Sequence, residues 1–316
     1  MNNFKQVIKG SVIALACAGI MGNAQAGALA TSVLTMSNFT LSYANGLAID
    51  PTTISYNANG TTASAQLNNS GGITLAPASG STTYNITACQ GSCPASIISP
   101  LPSSPPSATY ADATVIASGT PLASPGAVVQ NASVVSLTGQ GSGNVSNATN
   151  ALNATFTVTA AGDLLFAFNT SLYRENFLSA GAAAGSQART ASSFNFNIQS
   201  LSGSQVFNWS PSASGTGGVT TYTTNVPLTQ NSHISAPGDT FAYYINNNTF
   251  VSGAAGTTID GYFTADVYLG TGTYNLTGTM TTNAAADFVP EPGALALMGI
   301  GLVGLVVGSR RSFRAS

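Results

Sequence analysis

In 316 residues the chain holds one histidine, three cysteines and nine acidic residues, so few groups could act as acid, base or nucleophile. Ser232, His233 and Asp239 supply the residue types of a hydrolytic triad. A fold, not adjacency in sequence, brings such groups together, and hydroxyls are abundant throughout, so His233 reads as an exposed loop residue. Asp260 and Asp266 are the best available carboxylate pair for glycoside cleavage, which needs two acids roughly 5 to 10 Å apart. Placed across a turn and a strand, they read as solvated side chains. Cys89 and Cys93 are separated by Gln90, Gly91 and Ser92. In an oxidising compartment that spacing can close a tight disulfide loop, whereas a redox centre wants C-x-x-C at a helix start and zinc wants more ligands. Gly299, Gly301 and Gly304 match G-x-G-x-x-G, but the chain stops before the second strand and acidic residue of a dinucleotide site. No catalytic residue, no metal ligand and no cofactor is expected.

Trp209, Tyr222, Tyr243 and Tyr244 could offer flat faces to sugar rings, although strand alternation places about half of such residues in a core. Asn and Asp are plentiful, but no contiguous calcium loop of the D-x-[DN]-x-[DN]-G type occurs.

The elements that must carry these residues are strands. Short runs rich in Thr, Val, Phe and Tyr alternate apolar with small polar residues between Gly and Asn, which marks half-buried strands. Phe156 and Val158, then Leu164, Phe166 and Phe168, then Phe194, Phe196 and Ile198 each share one face. The alternation through Leu34 and Met36 resumes one residue out of phase at Phe39, Leu41 and Tyr43, which predicts a bulge at Ser37–Asn38. Ten to twelve such strands predict an all-β fold, an antiparallel β-sandwich ectodomain over residues 27–288. Residues 94–125 hold seven of the fourteen prolines and read as a Pro/Ser-rich loop or linker. That segment would either separate residues 27–93 as a lobe or be an insertion in one sandwich. A short helix is expected around Leu172 to Leu178, with Arg174 and Glu175 exposed.

Both extremities are apolar. Lys5 and Lys9 precede an apolar stretch, and Ala24-Gln25-Ala26 supplies the small residues that signal peptidase accepts, so residues 1–26 read as a cleaved signal helix. Lipoprotein processing at Cys17 is the alternative, with a poor lipobox before it. Residues 293–308 carry no charge and, at 1.5 Å per residue, a helix of that length would span about 24 Å. Arg310, Arg311 and Arg314 follow and would hold the end in the cytoplasm while the body is exported. A buried C-terminal helix is the alternative, but the run is apolar all round rather than along one stripe. Between the two ends Arg174 and Arg189 face Asp50, Asp112, Asp163, Glu175, Asp239, Asp260, Asp266 and Asp287, a net charge of minus six. Such a body repels polyanions and excludes nucleic acid as a partner.

Val289-Pro290-Glu291-Pro292, the apolar run and the arginines after it together resemble the PEP-CTERM sorting signal of Gram-negative, exopolysaccharide-producing bacteria. The resemblance covers residues 289–316. It implies that Pro290, Glu291 and Pro292 are recognition residues for an exosortase, a membrane protease and transpeptidase that removes the tail and passes the protein to the surface or matrix. The strand-rich body is similar to exosortase-dependent surface proteins of unassigned activity. The expected partners are signal peptidase, exosortase, the inner membrane before processing, and extracellular polysaccharide. The expected function is that of a nonenzymatic surface or matrix structural protein tied to exopolysaccharide, biofilm or floc. A carbohydrate-binding surface module and a secreted hydrolase are the alternatives.

Overall fold

The computed structural model describes residues 27–289 apart from 57–59, 78–82, 99–101, 103, 123–125, 181, 211–229, 235–239, 247–248 and 253–259. The expected signal helix and membrane helix fall outside the described residues, as do Ala24, Ala26, Pro290, Glu291, Pro292, Arg310, Arg311 and Arg314. Among the described residues no helix is long and apolar enough to cross a membrane.

Among the described residues sixteen strands form two antiparallel sheets. In chain order they are β1 (Ala28–Tyr43), β2 (Ser55–Tyr56), β3 (Thr62–Leu67), β4 (Ile73–Leu75), β5 (Tyr84–Gly91), β6 (Tyr110–Ser118), β7 (Val128–Leu137) and β8 (Gly141–Val158). The second half comprises β9 (Gly162–Leu178), β10 (Gln187–Ser200), β11 (Gln205–Trp209), β12 (Gln230–Ile234), β13 (Thr240–Asn246), β14 (Thr249–Ser252), β15 (Asp260–Leu269) and β16 (Gly272–Phe288). The first sheet runs β14-β13-β9-β1-β7-β6-β5, with β15 beside β13 along the same edge of β9. The second runs β11-β10-β16-β8-β3-β4, with β12 on β10 and β2 on β8. Residues 27–93 therefore contribute strands to both sheets.

Long strands have the period-2 pattern that buries one face. On β10 the even positions from Ala188 to Ile198 point inward, and on β16 the even positions from Tyr274 to Phe288 do the same. The phase shift in β1 is absorbed where its register with β9 slips between Ser37 and Thr40, and Asn38 there adopts φ 54°. A second slip, opposite Gly278 and Thr279, switches β8 from odd inward positions, Val145 to Thr149, to even ones, Leu152 to Val158.

The inter-sheet core has three layers. At one pole Phe156, Phe166, Phe168, Phe194, Phe196, Phe207, Met36 and Met280 pack together, with Phe166 and Phe196 stacked at 3.8 Å. At the other pole the residues are mainly alanines, among them Ala28, Ala30, Ala63, Ala111, Ala188, Ala284 and Ala286. Between them lies a polar belt. Asn131 Nδ2 donates to the Met280 carbonyl at 3.1 Å, Ser133 Oγ to the Thr282 carbonyl at 2.9 Å, and Thr149 Oγ1 to Asn131 Oδ1 at 2.8 Å. Arg174 completes the belt from β9, donating through Nη2 to the Thr190 carbonyl at 2.9 Å and through Nε to Thr190 Oγ1 at 3.3 Å.

Two expectations are corrected. The segment expected as a helix around Leu172–Leu178 is the end of β9, and Arg174 and Glu175 are each 0% exposed. The cause lies in the Pro-rich segment, which is not wholly loop. Tyr110–Ser118 within it is an inner strand paired with both β5 and β7. The described residues before that strand lie on the outer face of the first sheet, where Ile97, Ile98 and Ala108 pack on Leu29, Val33, Val134 and Tyr173. With this strap on one face and the second sheet on the other, β9 is buried on both sides. An alternation argument that assumes a wet face then fails.

Candidate functional site

The junction with the C-terminal tail is built on β16, an inner strand of the second sheet flanked by β10 and β8. Its last residue, Phe288, is in register with Gly141 and buried in the alanine-rich layer. Val289 follows directly. Its N–H donates to Ser186 Oγ at 2.9 Å, and its carbonyl accepts from the Ala183 N–H at 2.7 Å and from Ser186 Oγ at 3.1 Å. The opposite end of the body meets the same β9–β10 connector. Gly27 donates through its N–H to Ser179 Oγ at 2.9 Å, and its carbonyl accepts from the Ser179 N–H at 3.0 Å. Gly27 has no room for a side chain, since a Cβ would lie 2.3 Å from the Leu137 carbonyl oxygen.

Among the described residues, the remaining candidates do not converge on one centre. Asp260 and Asp266 lie on the same strand, β15, not across a turn. At about 3.3 Å per residue their backbones are roughly 20 Å apart, too far for a glycosidase pair. His233 sits on β12 in register with Arg189, in a strand rather than a loop, while Asp239 lies outside the described residues. The same holds for Tyr222 and for the side chains of Trp209, Tyr243 and Tyr244.

Cys89 and Cys93 are joined by a disulfide, with their Cα atoms 6.3 Å apart. Cys89 is in register with Asp112 on β6, and the two sulfurs and this carboxylate lie within 4.8 Å of one another. With the sulfurs bonded to each other, the group offers a cation a single carboxylate. Burial beneath the strap pushes the Asp112 carboxyl up to about 6, against the opposing effect of the Thr114 hydroxyl that donates to it at 2.9 Å. Burial, then the neighbouring Asp112, raises the Tyr110 phenol to about 12. Farther along the strap, the Ser104 N–H donates to Glu175 Oε1 at 3.2 Å, and the Tyr173 hydroxyl donates to Glu175 Oε2. The strap is thus tied at one end by the disulfide and at the other by a buried carboxylate.

Residues 288–311 match the PEP-CTERM protein-sorting motif. The tail is a PEP-CTERM sorting signal. It marks the protein as an exosortase substrate, exported as a membrane-anchored precursor and then carried to the surface. No curated protein matches the chain. A solved structure of infectious bursal disease virus Gt strain aligns over 90% of this chain and 89% of its own, at 13% identity and a TM-score of 0.10, and carries no argument about fold or function.

The body upstream of the tail also has a polar face. On the outer side of the second sheet, hydroxyl and amide side chains pair across β8, β16, β10 and β11. Thr155 donates to Asn275 at 3.0 Å, Thr279 to Asn150 at 3.2 Å, Asn195 to Asn208 at 2.8 Å and Asn197 to Gln205 at 3.1 Å. Thr157 and Thr273 share a bond at 3.1 Å, and Ser193 bonds Thr281. Among the described residues of these strands, charge enters where the ladder nears the sorting pole, at Arg189 and Asp287. Sequence reading saw the abundance of Ser, Thr and Asn. It missed their arrangement because the arrangement depends on which strands are neighbours.

Proposed function

We propose that this chain is a nonenzymatic structural protein of the cell surface or extracellular matrix, embedded in exopolysaccharide and contributing to biofilm or floc. The observation that carries the reading is the uncharged hydroxyl–amide ladder on the outer face of the second sheet, in a body that a PEP-CTERM signal addresses to the surface. Neutral donors and acceptors at regular spacing along strands exchange hydrogen bonds with sugar hydroxyls without needing fixed charge, and many weak contacts along one polymer add up. Such a face favours broad retention in a polysaccharide layer over recognition of one sugar.

The test is co-purification of the processed protein with native exopolysaccharide, together with cell aggregation after deletion of the gene. Retention should be broad, and should drop when Asn275 and Thr279 are both replaced by Asp. Saturable binding to one defined oligosaccharide would favour a carbohydrate-binding module instead. Turnover of a polysaccharide would favour a hydrolase.

A further inference from the structure

We propose that the β9–β10 connector, residues 179–186, is a processing clamp. It gathers both ends of the exported body at one pole, presents that pole to the membrane-embedded sorting enzyme, and sets Val289 as the upstream limit of the cut. The inference rests on exosortase sorting and adds which surface is offered and where cleavage can begin.

A protease needs several residues of extended, unpaired backbone around its scissile bond. Upstream of Val289 none is available, because Asp287 pairs with Gln187 on one side and Ser142 on the other, and Phe288 is anchored in the core. Freeing them would mean stripping an inner strand from the sheet. Val289 itself has both backbone groups satisfied by the connector, while its side chain is 39% exposed. Pro290, next in the chain, has no N–H and cannot extend the ladder. The clamp therefore ends where the Pro-Glu-Pro of the sorting signal begins.

The same connector holds Gly27, the first residue after the expected signal-peptidase site, through Ser179. Both membrane tethers of the precursor are thereby attached to one pole. Only Pro290, Glu291 and Pro292 separate Val289 from the apolar run that begins at Gly293, so the body is held within a few residues of the lipid. Among the described residues, the exposed part of the connector consists of Ala180, Ala184 and Gly185, small and uncharged. The exposed tip of the connector carries no charge of its own to desolvate on approach to a membrane enzyme, the Arg189 and Asp287 of this pole standing on the flanking strands.

The experiment follows the full-length chain in cells that contain the exosortase. Intact mass of the processed protein should place its C-terminus at Val289 or beyond. A C-terminus within Thr281–Phe288 overturns the clamp while leaving exosortase sorting intact. Absence of any tail removal from the wild-type chain overturns the sorting reading and this inference with it. A second variant carries a six-residue Gly-Ser spacer between Val289 and Pro290, outside the folded body. Pulse-chase should show tail removal slowed several-fold relative to wild type, because the docking pole no longer sits beside the signal. Removal at the wild-type rate or faster would mean that the pole is not a docking surface.

Discussion

At the pole far from the sorting signal the two sheets are separated by aromatic rings. Phe39, Phe166, Phe168, Phe194, Phe196 and Phe207 form one connected set, with Phe156 stacked on Tyr274 alongside. At the sorting pole the same strands offer methyl groups, and a Cβ added to Gly143 would lie 2.5 Å from Val135 Cγ1 across the sheets. The first pole supplies apolar area and the second supplies closeness. Burial of large rings stabilises in proportion to the area removed from water. Alanine layers contribute less per residue, and depend on the sheets staying near each other. That arrangement puts the larger share of the hydrophobic stabilisation at the pole away from the sorting signal, and brings the two sheets close together at the pole beside it.

The contrast is broken most strongly at the thick pole. Phe196→Ala should cost about 3 to 5 kcal/mol, because Phe166, Phe194 and Phe207 all pack on that ring and cannot collapse into the space. Urea denaturation of the processed protein measures it. A loss under about 1 kcal/mol would mean that the aromatic layer is loosely packed.

The belt between the poles ranks next. Arg174→Ala should cost about 3 kcal/mol, since it opens a cavity and takes the donors away from Thr190. Arg174→Met fills most of the volume and removes a desolvated charge, so it should stay within about 1 kcal/mol of wild type. Equal losses in the two variants would show that the hydrogen bonds, not the volume, matter at that position. At the slim pole the sign of the sensitive change reverses. Gly143→Ala adds one carbon and should cost about 1 to 3 kcal/mol, and Val135→Ala in the same chain should recover part of it.

These positions differ in how far they could be read in advance. Phe166, Phe168, Phe194, Phe196 and Ile198 were legible because a strand with one buried face writes a period of two into its own residues. The bulge at Asn38 was legible for the same reason, as a break in that period. Arg174 and Glu175 were not, because Arg174 is buried against Thr190 of the second sheet and Glu175 beneath a strap some seventy residues away in sequence, which covers the face that alternation leaves to solvent. Alanine-rich runs such as Asn283–Ala286 in β16 gave no sign of which pole they formed, since Ala suits a core and a surface alike. The sorting signal was legible from its three consecutive parts, whereas the clamp behind it depends on Ser179 and Ser186, two serines among many.

The smallest effect tests the strap at the sorting end of β6, where Asp112 lies opposite Cys89 beneath it. Burial raises this carboxyl from 3.8 to about 6 in the folded protein, so between about pH 4 and pH 6 the native state keeps a proton that the unfolded chain has released. The native state then binds more protons than the unfolded state, and stability falls as pH rises through that window and levels off above it. The full change is at most about 2 kcal/mol, because a tenfold change in proton affinity is worth about 1.4 kcal/mol and solvent screening takes part of it. Asp112→Asn keeps an acceptor for the Thr114 hydroxyl and cannot ionise. Urea midpoints of wild type and variant should coincide near pH 4, and the variant should be the more stable by pH 7. Parallel curves across the whole range would place Asp112 in contact with water and the strap off that end of the sheet.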